Sequence, residues 1–107
     1  MKVKVSEATP KQINWLVAKC EDVLFPRSVP KYTTDWSQGG PIIEREEIAV
    51  QCGYCDGELD GWIADSKKLN DDEGMEQYGS TPLIAAMRCY VASKLGEEVE
   101  VPDELAS

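Results

Sequence analysis

Histidine is absent from this chain, phenylalanine occurs once, and only 11 Lys and Arg stand against 20 Asp and Glu. No apolar run approaches the ~20 residues that a bilayer-spanning helix needs. Each shortage excludes something. Without histidine, a serine or cysteine nucleophile loses its usual base and a zinc site loses its commonest nitrogen ligand. Without clustered Lys and Arg there is no counterion release to drive binding, so neither nucleic acid nor an anionic membrane is expected as a partner. Residues 1–9 carry no apolar signal region, which leads to a cytoplasmic expectation. No strand–GxxxxGK–helix loop occurs, no cofactor is implied, and the residues name no reaction.

What is present is ordinary globular material. With 107 residues, 42% of them hydrophobic, the chain can close one core, so a single domain is expected over residues 1–107. Its ordered part is expected over about residues 2–101, followed by an acidic tail at 102–107. The net charge of −9 gathers locally, in Asp71, Asp72, Glu73 and Glu76, then in Glu97, Glu98, Glu100, Asp103 and Glu104. Solvated loops and a solvated tail account for that. Mimicry of DNA's phosphate charge would need ordered rows of carboxylates on one face.

The clearest element is a helix between residues 79 and 96. Thr81 is a good N-cap, Pro82 suits the first helical position, and Gly96 suits the stop. Leu83, Ile84, Met87, Tyr90, Val91 and Leu95 give it a broad apolar face, so it is expected at the centre of the core, or in a subunit contact of a homo-oligomer. Thr9, Pro10 and Gln12 form a capping box for an earlier helix reaching about Leu24. Ile13, Leu16, Val17, Cys20 and Leu24 line its buried face, opposite Lys11, Asn14, Lys19, Glu21 and Asp22. Residues 2–5 alternate as a short strand. Residues 25–41, with three prolines and two glycines, read as a long loop holding Tyr32 and Trp36. Residues 42–51 then read as a strand, 53–57 as a hairpin turn, 60–65 as the returning strand, 66–79 as a mobile loop and 99–101 as a short edge strand. The expected class is α+β: a small, mostly antiparallel sheet with two main helices, α-β-α sandwich-like.

Three features invite chemistry. Cys52 and Cys55 have CxxC spacing, but Asp56 and Gly57 after them make a turn rather than the helix that a redox pair uses. A zinc site there would need Cys20 and Cys89 to converge from two helices. Two free cysteines in a turn is the plainer reading. Tyr32, Thr33, Thr34, Asp35, Trp36, Ser37 and Gln38 put stacking surface and short polar groups in one loop, as small-ligand pockets do; the alternative is that Tyr32 and Trp36 pin that loop to the core while Asp35 caps a turn. Arg88 interrupts the apolar helix and needs an answer, either a carboxylate such as Asp35 or Glu44, or a ligand anion. The helix start at Thr81 offers free N–H groups to the same anion. The expected ligand site is therefore Tyr32, Thr33, Asp35, Trp36, Gln38, Thr81 and Arg88, with Cys52 and Cys55 as weak metal candidates.

Residues 34–46 (TDWSQGGPIIERE) and 81–96 (TPLIAAMRCYVASKLG) resemble the NinX-like family of lambdoid phages and prophages. Trp15, Ala18, Lys19 and Cys20, and the ending from Glu98 to Pro102, are similar to it as well. The resemblance implies a small protein in a bacterial host cell, related to phage α-β-α sandwich domains, and brings no catalytic residues with it. The expected function is that of a phage or prophage accessory protein acting by binding in phage–host interaction, with a nucleotide-like small molecule as the ligand. A host protein met by the acidic surface, including by DNA mimicry, is the alternative, and an enzyme is a third reading.

Overall fold

The computed structural model describes residues 1–23, 29–55, 58–68 and 76–105. Among the described residues three α-helices and five strands run in the order β1 (Lys2–Lys4), α1 (Pro10–Cys20), α2 (Trp36–Arg45), β2 (Ala49–Cys55), β3 (Glu58–Asp65), β4 (Gln77–Gly79), α3 (Pro82–Leu95) and β5 (Glu98–Glu100), with short 3-10 turns at Val5–Glu7 and Asp103–Leu105. β1 pairs with β5, and β2, β3 and β4 form a second antiparallel sheet in that order. The class is α+β.

The caps read from sequence are made. The Thr9 hydroxyl accepts from the Gln12 N–H at 3.2 Å while the Gln12 side chain accepts from the Thr9 N–H at 2.9 Å. Thr81 accepts from the Ile84 N–H at 3.2 Å, and Gly96 ends α3 with φ +92°, a value that suits glycine. α3 is buried from Leu83 to Met87 and again from Cys89 to Ala92, lying between the β2–β3–β4 sheet and α1. The expected layout put one helix on each face of a single sheet. Instead α1 packs on α3, which is apolar enough all round to be covered on both sides. This also removes α3 as a wide subunit surface; Leu95, expected on its apolar face, is one of the few positions left exposed. α1 ends at Cys20, and Leu24 lies outside the described residues.

The largest departure is α2. Residues 36–41 were expected in a loop and 42–51 in a strand, because Gly39, Gly40 and Pro41 carry turn propensity. Asp35 caps a helix there instead, its carboxylate accepting from the Ser37 N–H at 2.9 Å and hydroxyl at 2.7 Å. Packing outweighs propensity: Ile42 is buried, and a Cβ on Gly39 would sit 2.5 Å from the Tyr32 carbonyl oxygen and 2.7 Å from Leu83. Gly39 serves close approach, not a turn.

β2 consequently begins at Ala49 and runs through Cys55, so Cys52 lies in a strand opposite Trp62, with a register shift between Cys52 and Tyr54. Of the expected turn, residues 56–57 lie outside the described residues. Part of the expected mobile loop is a strand, with Ile63 opposite Tyr78 and Trp62 opposite Gly79; the acidic cluster Asp71, Asp72 and Glu73 lies outside the described residues. The segment read as an acidic tail folds back as far as residue 105: Leu105 is buried and its carbonyl accepts from the buried Gln12 amide at 2.7 Å. Among the described residues no helix is long and apolar enough to cross a membrane.

Candidate functional site

The residues expected to form one pocket are spread over three settings. Tyr32 is packed into the core at 6% exposure. Thr33, equally buried, gives both its N–H and its hydroxyl to the Asn14 side chain, each at 2.9 Å. Asn14, which the helical pattern placed on a solvated face of α1, is the latch for this loop. Asp35, Trp36 and Gln38 sit on the outer surface at the start of α2, Trp36 at 56% exposure. The hydroxyl and N–H of Ser37 hold the Asp35 carboxyl below its usual range, as suits an N-cap. Tyr32 and Trp36 therefore diverge, one inward and one outward, because the helix that begins at Trp36 turns its first residue away from the core. Thr81 is occupied as the cap of α3.

Arg88 is answered by neither Asp35 nor Glu44. One terminal nitrogen, Nη1, donates to the Tyr78 carbonyl at 2.7 Å and the other, Nη2, to the Ala8 carbonyl at 2.8 Å. The guanidinium thereby ties β4 and the start of α1 to the middle of α3. It is half-buried, its pKa is lowered by desolvation, its Nε is buried without a hydrogen-bond partner, and no ion pair holds it among the described residues. Arg88 lines an open cleft of about 410 Å³ together with Ser6, Gly61, Tyr78, Gly79 and Ser80. Tyr78 presents its ring to solvent at 58% exposure. Gly61, at φ +85°, and Gly79 meet so closely that a Cβ on the first would lie 2.8 Å from the carbonyl oxygen of the second. Among the described residues no lining side chain is acidic; the Tyr78 hydroxyl donates to the Glu76 carboxylate at 3.4 Å. A larger cleft of about 520 Å³ lies beside β1, but Lys2 and Lys4 share its walls with Glu7 and Glu98.

Five of these lining positions, Ser6, Gly61, Tyr78, Gly79 and Ser80, were not singled out from sequence as site residues. The sequence carried no usable signal there: in β4 the polar Gln77 and Gly79 are buried and the aromatic Tyr78 is exposed, the reverse of what residue polarity predicts for a half-covered strand. The acidic run before it drew the whole stretch into a loop reading.

A second polar cluster also escaped the sequence. Arg45 forks onto Glu21 at 3.0 and 2.7 Å and reaches Glu46 at 2.6 Å, while the Tyr90 hydroxyl donates to Glu21. Both carboxyls are held below their ordinary values, first by Arg45. The cluster binds the C-terminal ends of α1 and α2 to α3, and with every charge answered it reads as a clamp.

Cys89 is buried in α3 and Cys20 is half-buried at the end of α1; burial pushes each thiol up to about 11, away from the reactive thiolate form. Cys52 stands on β2, and the side chain of Cys55 lies outside the described residues. Among the described residues no three His, Cys, Asp or Glu side chains gather as a metal site.

The family model described as bacteriophage P22, NinX matches residues 4–94. Among curated proteins none matches the chain.

Proposed function

The chain belongs to the bacteriophage P22 NinX family, and from that premise we propose that this phage protein is an accessory protein acting by binding, with an anionic, nucleotide-like small molecule held in the Arg88 cleft. The observation that carries the reading is the charge of that cleft. In a chain of net charge −9, the described residues of its walls supply one guanidinium and no carboxylate, while the Glu76 carboxylate takes the hydroxyl at the far end of the Tyr78 ring. Desolvation of Arg88 strengthens its attraction for an anion compared with a surface lysine. Two of its five donors are used on carbonyls, and the Nη1 end that meets Tyr78 remains open to solvent. Tyr78 lines the same cleft, its backbone bonded to Arg88 and its ring exposed, so a base can stack on the ring while Arg88 meets the phosphate. The hydroxyls of Ser6 and Ser80 add neutral hydrogen-bonding groups. The expected site thus keeps Arg88 from the sequence reading and takes Tyr78 in place of Tyr32 and Trp36.

Thermal denaturation across a panel of nucleotides and inorganic phosphate tests this. A ligand at ~100 times its dissociation constant adds about 2.7 kcal/mol, a rise of roughly 10 °C or more for a chain of this size. Tyr78→Ala and Ser80→Ala remove exposed side chains, so both variants are expected to fold and to lose most of the rise. A flat panel, or a rise of equal size in both variants, overturns the proposal.

A further inference from the structure

β4 runs from Gln77 to Gly79, and the alternation of a strand sets side chains of one face two residues apart. Gln77 turns inward and is buried, while Glu76 just before it, Tyr78 and Ser80 are exposed. Two charges stand at opposite ends of Tyr78. Arg88 Nη1 donates to its backbone carbonyl at 2.7 Å, and the Glu76 carboxylate accepts from its hydroxyl at 3.4 Å. Between them lies the exposed ring. The order along this residue is therefore cation, aromatic face, carboxylate. Glu76 is not spent on the hydroxyl, because one long hydrogen bond uses one of a carboxylate's roughly four lone-pair positions. Among the described residues it also forms no ion pair.

Resting on the reading of the Arg88 cleft as a nucleotide site, we propose that its ligand is a guanine nucleotide with a single phosphate, and that Glu76 selects the base. A carboxylate only accepts hydrogen bonds, so it needs N–H groups on the edge of the stacked base. The pairing edge of guanine carries a ring N–H beside an amino group, two adjacent donors that meet both carboxylate oxygens as an arginine fork does. Adenine and cytosine set an amino group beside an unprotonated ring nitrogen, whose lone pair faces the carboxylate. Uracil and thymine flank one N–H with two carbonyl oxygens. The phosphate count follows from charge. Among the described residues Arg88 is the only cation lining the cleft, and the chain carries a net charge of −9. A second and a third phosphate would meet repulsion with no further cation to answer it.

Calorimetric titration of the full chain with GMP, IMP, AMP and GTP in magnesium-free buffer tests the assignment. GMP is expected to bind about tenfold more tightly than AMP, because a site that hydrogen-bonds one base rejects another lacking its donors. IMP keeps the ring N–H and lacks the amino group, so it should fall between them, and GTP should bind more weakly than GMP. Glu76→Gln changes an exposed side chain and should leave the unfolding temperature alone. It should bring GMP and AMP to similar affinity, by weakening the first and not the second. Tyr78→Ala should lose all four ligands. Binding that depends on Tyr78 but is equal for GMP and AMP, that keeps its GMP preference in Glu76→Gln, or that is as tight for GTP as for GMP overturns this inference and leaves the cleft reading standing. Failure of all four nucleotides to bind overturns both.

Discussion

Gly39 and Gly40 are neighbours in one helix with opposite reasons for being glycine. At Gly39 the Tyr32 backbone and the Leu83 side chain occupy the space a Cβ would need, whereas at Gly40 the nearest atom is on the Trp36 ring, 3.9 Å away. Gly39→Ala is therefore expected to destabilise the protein by about 1–3 kcal/mol through overpacking against backbone that cannot yield. Gly40→Ala removes a flexible residue from a helix interior and is expected to stabilise by about 0.5–1 kcal/mol. Urea unfolding of the two variants checks both signs at once. A single sequence offers no way to separate these glycines, since both sit in a GGP run that resembles a turn. Arg88 shows the same limit. Its presence on an apolar helix said that something must answer it, but the answer came from two backbone carbonyls, and carbonyls are present at every residue.

At the scale of elements, α1, α2 and α3 are joined where Arg45 meets Glu21, Glu46 and Tyr90. Both carboxyls have folded pKa values below the ordinary 4.5. Such groups contribute stability that is fully present above 4.5 and is lost as pH falls through the depressed folded values. Unfolding free energy should thus be level from pH 7 to about pH 5 and fall below 4.5. Arg45→Met should lower the plateau and flatten the fall, which urea titrations between pH 7 and pH 3 would measure. Arg45 and Glu21 lie on exposed faces in any helical reading, far apart in sequence, so their meeting was not legible before the helices were packed. By contrast α1 and α3 were legible as elements, because their caps and apolar faces are local properties.

The whole molecule closes on itself near its ends. β1 pairs with β5, the Val101 N–H donates to the Met1 carbonyl at 2.9 Å, and Leu105 returns to cover Gln12. Removing residues 103–107 should cost about 1–3 kcal/mol, because the buried Gln12 amide loses its acceptor. Thermal unfolding of the shortened chain checks this. A melting temperature equal to that of the full chain would mean that the segment is a solvated tail after all. The acidic residues hid this docking: Asp103 and Glu104 point outward and read as solvated, while Leu105 between them and the end is a single apolar residue with no period to mark it.

The sequence by itself determined the α+β class, the two capped helices, the central place of α3 and the hairpin that carries Cys52. Those follow from contacts between residues close along the chain, where spacing and cap chemistry act directly. Only the tertiary structure decided that residues 36–45 form a helix, that α1 lies on α3, and that Tyr78 rather than Tyr32 or Trp36 stands beside Arg88. Those depend on which surfaces meet, and a close backbone approach or a cleft between β4 and α3 leaves no periodic trace in the chain.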